Sequence, residues 1–175
     1  VSKLDLLAGY TYDDYCLWES DWELIEGIAV PMRIHQQVAR ELFLALNQEA
    51  LEACECEVLY GTDWKLSNDT VLRPDIILVC RDENKKYIIK APKVIVEVLS
   101  PSTARKDETV KFNIYEAQQV EYYILLYPND LVARVYKIKN DRYIKVGDFS
   151  NETLKFHDIE CDLSLDFGKV FRKFR

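Results

Sequence analysis

Arg73-Pro74-Asp75-Ile76-Ile77-Leu78-Val79-Cys80 and Val94-Ile95-Val96-Glu97-Val98-Leu99-Ser100 decide the fold. Each is a short apolar run, of the length of a strand rather than of a helix, and each holds one carboxylate. Runs of this kind read as buried strands. A lone carboxylate in such a place is costly. Asp75 at the mouth of one strand and Glu97 inside the next therefore read as a pair with a use, and the obvious use is to bind a divalent metal ion.

Working outward, Ser100-Pro101-Ser102-Thr103 ends the second strand and caps a helix over about 104–118. Asp107, Lys111 and Tyr115 are spaced by four in it and share one face. Glu121 to Tyr127 is the next strand, followed by strands over 132–138 and 143–149 joined at Lys139-Asn140-Asp141, and by a further short strand at 153–156. Asp166 to Phe174 reads as a terminal helix.

Upstream, Val38, Leu42, Ala45, Leu46 and Ala50 recur at helical spacing and predict a helix from Ile34 to Ala53. Before it, Trp22 to Ile25 and Ile28 to Met32 flank Glu26-Gly27 as a hairpin, with Pro31 at a strand end. A short helix with Thr11 as N-cap is expected over Gly9 to Glu19. Strands are expected at 57–60 and 63–66, a turn at Ser67-Asn68-Asp69, and a short extension at 87–90. There is no internal repeat and no linker. The order of elements predicts one domain over 1–175, an α/β (α+β) sandwich built on a mixed β-sheet flanked by helices.

The net charge of −7 argues against a protein that coats nucleic acid by bulk electrostatics. From Lys65 to Lys111, however, ten basic residues stand against seven acidic ones, so the negative excess lies outside the segment with the carboxylate pair. No stretch approaches the roughly 18 uninterrupted apolar residues of a membrane span. The first residues show no basic segment followed by an apolar one, and a cytoplasmic location is expected. The five cysteines lack framework spacing and are expected to be reduced thiols. Cys54 and Cys56 are too close for an ordinary mutual disulfide. Without a second Cys pair, and with only His35 and His157, a zinc site is not expected.

The carboxylate pair suggests phosphodiester hydrolysis. That reaction needs a positioned water, charge stabilisation on the phosphate and help for the leaving oxygen, which a divalent metal on two carboxylates with a nearby lysine can supply. Mg²⁺ suits such a half-open site, with Asp75 and Glu97 as ligands. Strand alternation puts Leu99 on the face of Glu97, where a lysine would point at the metal, and Lys111 on the helix is the substitute. An ordinary helix-surface lysine paired with Asp107 is the alternative. His35, at the start of the long helix, and Glu41, further along it, are candidate accessory residues, as is Asp107.

Asp69-Thr70-Val71-Leu72-Arg73-Pro74-Asp75, then Pro92 to Thr103, then Asp107-Glu108-Thr109-Val110-Lys111 with Tyr115, resemble the signature of the Uma-two family. Thr11 to Tyr15, Glu23-Leu24-Ile25-Glu26-Gly27, His35 with its helix, Val120 to Ile124 and Leu163 to Phe171 extend the resemblance over nearly the whole chain. The family is bacterial, of proposed endonucleases in the PD-(D/E)xK, restriction-endonuclease-like superfamily. The resemblance implies that fold, a Mg²⁺- or Mn²⁺-dependent hydrolase acting on DNA, Asp75 and Glu97 as metal ligands, and a superfamily lysine moved from strand to helix at Lys111. Gln118-Gln119 departs from it, standing where the family usually closes this helix with Gly, so a different helix end is expected. A catalytically silent module that binds nucleic acid or protein on the same fold is the competing reading, and a homodimer is left open. Trp18, Trp22 and Trp64 are candidates for an interface or, more simply, for the core.

Overall fold

A computed structural model of the chain describes residue 16 and residues 22–25, 28–100 and 104–175. The helix expected over 9–19 falls outside them but for Cys16, and so does Trp18. Strands β1 (Trp22–Ile25) and β2 (Ile28–Pro31) form the expected antiparallel hairpin, with Ile25 opposite Ile28. Pro31 closes β2, where its missing N–H matters least. Helix α1 (Met32–Ala53) begins two residues before the expected start. Its stripe of Val38, Ala39, Leu42, Leu46 and Ala50 is fully buried, whereas Leu44, off the stripe, is 52% exposed.

The chain continues through β3 (Cys56–Tyr60), the two-residue strands β4 (Trp64–Lys65) and β5 (Val71–Leu72), then β6 (Ile76–Cys80) and β7 (Val94–Val98). Helix α2 spans 104–117, after which come β8 (Tyr122–Tyr127), β9 (Val132–Lys139) and β10 (Arg142–Phe149). The chain ends with β11 (Thr153–Lys155), β12 (Ser164–Asp166), α3 (Phe167–Phe171) and a 3₁₀ turn, Arg172–Phe174. β5 and β12 escaped the sequence reading because each is too short to carry a period. The expected extension at 87–90 reduces to one bridge between Trp64 and Ile88.

Six strands form one mixed sheet in the order β10-β9-β8-β7-β6-β3. All neighbours are antiparallel except β7 and β8, which run parallel. A parallel pair needs a long crossover, and α2 supplies it. α2 is thereby committed to one face of the sheet, above β7.

The two faces bury separate cores. Ile76, Leu78, Val94, Val96 and Val98 pack with α1 and with Leu154, Leu165, Phe167 and Phe171. Ile77, Val79, Ile95 and Leu99 pack with Trp64, Tyr115, Val120, Tyr123 and Leu125 beneath α2. Cover on both faces is why β6 and β7 read as unbroken apolar runs. Trp64 is therefore a core residue. Among the described residues no helix is long and apolar enough to cross a membrane.

Two expectations change. The cysteines are not all reduced: Cys54 bonds Cys161 and Cys56 bonds Cys80, leaving Cys16 free. Cys54 and Cys56 do not bond each other; each takes a partner that only the fold brings near. The end of α2 also differs from expectation, because it closes as a glycine-terminated helix would. Gln119 adopts φ 58°, Gln119 N–H donates to the Glu116 carbonyl and Val120 N–H to the Tyr115 carbonyl.

Leu46→Ala should cost about 2–5 kcal/mol by leaving a cavity in the α1 core. Leu44→Ala should stay within about 0.5 kcal/mol. Urea denaturation of both checks the assigned face of α1. Gln119→Gly should raise stability by about 0.5–1 kcal/mol in the same measurement, because Gly carries no left-handed penalty.

Candidate active site

The register Ile76↔Val96 sets the preceding residue, Asp75, beside Glu97. Alternation then puts Asp75 on the face of Ile77, and Glu97 on the face of Ile95, which is the face α2 covers. Past the last β6–β7 pair, the N–H of Val98 donates to Asp75 Oδ2 at 2.7 Å. The carboxylate thus takes the place of a strand neighbour and ties the mouth of β6 to the end of β7.

α2 brings three side chains down onto Glu97. Lys111 Nζ donates to Glu97 Oε1 at 2.9 Å, and the Tyr115 hydroxyl donates to the same oxygen at 2.6 Å. Lys111 Nζ also lies 3.0 Å from Asp107 Oδ1. The shared face read from the spacing of Asp107, Lys111 and Tyr115 is therefore real, and Lys111 is no surface lysine. It pairs with Asp107, as its alternative reading held, but in a buried group that includes Glu97.

The helix is not uniform. Asp107–Lys111 is wound as a π-turn between the α-helical pieces Ala104–Lys106 and Phe112–Ala117. Such a turn widens the helix locally and recurs at functional sites. Tyr123 on β8 anchors its start, donating its hydroxyl to the Asp107 carbonyl at 2.8 Å. Tyr115 is itself held by packing, stacked on Trp64 at 6.1 Å and edge-on to Tyr123 at 5.0 Å. The π-turn and the aromatic support were not legible beforehand. The only signal was the recurrence of aromatic residues at 64, 115 and 123.

The charges do not balance. Glu97 is 1% and Asp107 2% exposed, Asp75 is half-buried, and among the described residues Lys111 is the cation paired with Glu97 and Asp107. Burial pushes Glu97 up to about 7, outweighing the pull of Lys111, while Asp75 and Asp107 push the same way. Burial also raises Asp75, more than the Val98 N–H, His35 and Lys111 lower it. For Lys111 burial disfavours the ammonium, but Glu97 and Asp107 overcome that and hold it above the ordinary lysine value.

Asp107 Oδ1 is a buried oxygen whose contact with Lys111, at 3.0 Å, lacks the alignment of a good hydrogen bond. Lys111 and Tyr115 both engage Glu97 Oε1. Three clustered carboxylates against one lysine, all hard oxygen donors, fit a divalent cation of the magnesium type.

The other two candidates separate. His35 lies at the site: its Nε2–H donates to the Val98 carbonyl, so the peptide whose N–H binds Asp75 is held from both sides. Glu41 turns elsewhere. Its Oε1 accepts from Lys173 at 3.0 Å and from Arg40 at 3.2 Å, fastening α1 to the C-terminal turn.

The mixed sheet flanked by helices, with a carboxylate at each of two neighbouring central strands and a lysine from the crossover helix, defines a restriction-endonuclease-like fold. The sequence profile of the Uma2 family, described as "Putative restriction endonuclease", matches residues 11–167, and the chain belongs to that family. A crystal structure from Anabaena variabilis, described as a "putative nuclease belonging to DUF820", is similar with a TM-score of 0.64 at 17% identity. The match covers 94% of this chain and 98% of that one, a likeness of fold. No curated protein matches the chain.

The raised pKa of Glu97 has a measurable consequence. Between about 4.5, its ordinary value, and about 7, the folded chain holds a proton that the unfolded chain has released. Unfolding then sheds a proton, so stability falls as pH rises through this window. The wild type should lose on the order of 2 kcal/mol across it relative to Glu97→Gln, which has nothing to titrate there. Denaturant midpoints of both proteins at a series of pH values read this directly.

Proposed function

We propose that the chain is a metal-dependent endonuclease hydrolysing phosphodiester bonds in DNA, with Mg²⁺ or Mn²⁺ held by Asp75 and Glu97. The observation that carries the reading is the convergence of Lys111 Nζ on Glu97 Oε1 with Asp75 alongside, in a group that has more buried carboxylates than cations. Membership of a family of this description supports it.

A bound divalent ion would neutralise charge on the phosphate and lower the pKa of a coordinated water. The chain's own residues do the rest. Asp75 is fixed by the Val98 N–H, and Glu97 by Tyr115 and Lys111, so both carboxylates are placed before any ligand arrives. Lys111, held charged by Glu97 and Asp107, orients the attacking water or steadies a phosphate oxygen with its ammonium. Asp107 positions Lys111, and His35 positions the Val98 peptide. The local excess of basic residues over 65–111 supports approach of an anionic polymer to this part of an otherwise acidic chain.

The net charge of −7 supports the second reading, a silent binding module on the same fold. Mn²⁺ should raise the melting temperature of the wild type and not that of Asp75→Ala or Glu97→Ala. Lys111→Ala should keep the metal-induced shift and lose about 100-fold or more in cleavage of DNA. Equal shifts in wild type and carboxylate variants would remove the metal assignment. Metal binding with no cleavage of any DNA or RNA, in Mg²⁺ or Mn²⁺, would favour the silent module.

A further inference from the structure

A second chemically distinctive cluster lies at the opposite end of the sheet. Cys54 just follows α1, Cys56 opens β3, Cys80 ends β6, and Cys161 lies between β11 and β12. Cys80 and Asp75 mark the two ends of β6, roughly 17 Å of extended chain apart. Cys80 also belongs to the core on the α1 face, whereas the carboxylate site lies beneath α2.

The two disulfides, Cys54–Cys161 and Cys56–Cys80, are packed side by side. Cys56 Sγ is 3.7 Å from Cys161 Sγ, its neighbour in the other bond. The sulfurs of Cys54, Cys56 and Cys161 all lie within 4.8 Å of one another, and Cys80 is bonded to one of them. Four sulfurs from three chain segments thus share one small volume. The absence of a second Cys pair in the sequence spoke against zinc, but Cys80 and Cys161 become that pair in space.

We propose that in the reduced protein these four cysteines form a thiolate site for one zinc-class divalent metal, and that the two disulfides are its oxidised, metal-free form. Four sulfur donors is the full set of a closed structural zinc site. A tetrahedron with Zn–S of about 2.3 Å has sulfur–sulfur edges of about 3.8 Å, the separation already present between Cys56 and Cys161. A cavity of about 470 Å³, lined by Cys54, Cys56, Glu55, Arg81 and Glu160 among others, gives reductant and metal access. Arg81 in that wall is paired with Glu55 at 3.4 Å and with Glu160 at 3.8 Å.

The conversion balances. A dithiol reductant delivers two electrons and two protons to each disulfide, gives four thiols, and leaves as two molecules of its own cyclic disulfide. Binding of one Zn²⁺ then releases four thiol protons to solvent. Two molecules of a disulfide oxidant reverse the first step, each being reduced to two thiols.

The test uses the full chain, reduced with a dithiol, freed of it without oxygen, and titrated with Co²⁺. One Co²⁺ per chain should give the sulfur-to-cobalt charge-transfer and intense visible bands of a tetrahedral thiolate site, displaced by Zn²⁺. The bands should persist in Asp75→Ala and in Cys16→Ser, be absent from the unreduced chain, and be weakened and shifted in Cys161→Ser, which keeps three sulfur donors. A readout that needs no variant is alkylation of the reduced wild type followed by mass spectrometry. Zn²⁺ should leave Cys16 as the single modified cysteine. Reduced chain without thiolate–cobalt bands, or all five cysteines alkylated at the same rate with and without Zn²⁺, would overturn the proposal.

Discussion

A carboxylate held almost wholly out of water in the middle of a sheet is the constraint on which the rest depends. Glu97 sits on β7 among Ile95, Leu99, Tyr123 and Leu125, where an isolated charge would be prohibitive. Lys111 and Tyr115 offset part of that cost from above, and Asp75 and Asp107 add to it. What is left over is a proton held to about pH 7 rather than 4.5. The site is thus organised around a charge that the protein alone does not fully satisfy.

Topology delivers the compensating groups. β7 and β8 run parallel, so the chain must cross over between them, and α2 is the crossover. Once α2 lies over β7, positions 107, 111 and 115 face Glu97. The π-turn adapts the helix to this task, and Tyr123 secures it from the next strand. Trp64, from a two-residue strand, buttresses Tyr115. The same sheet that places the carboxylates gathers the cysteines at its other end, so two polar clusters are built on the two ends of β6 and on its two faces.

Much of this was legible in the residues. The apolar runs around Asp75 and Glu97, the helical stripe of α1 and the hairpin before it all carry strong periods, and the structure keeps them nearly to the residue. The spacing of Asp107, Lys111 and Tyr115 predicted a common face, and Leu99 predicted that no lysine would come from the strand itself. Glu41 illustrates the limit. Its place on the first helix was compatible with the site, but a helix face shows which residues are neighbours along it and not what packs opposite; Lys173, 132 residues later, claims it. Gln119 shows a second limit, since tertiary packing holds it in a left-handed conformation that its side chain disfavours.

The sequence by itself determined the longer strands, the helices over 34–53 and 104–118 and the identity of the two strand carboxylates, because local periodicity and the cost of burying charge are properties of short segments. Only the tertiary structure decided which groups meet. It selected Lys111 over the surface-lysine reading, set Tyr115 on the same oxygen, turned Glu41 away, and joined Cys54 and Cys56 to Cys161 and Cys80 across 107 and 24 residues. These are contacts between segments far apart in the chain, and their partners are chosen by sheet order and crossover, which no local pattern encodes.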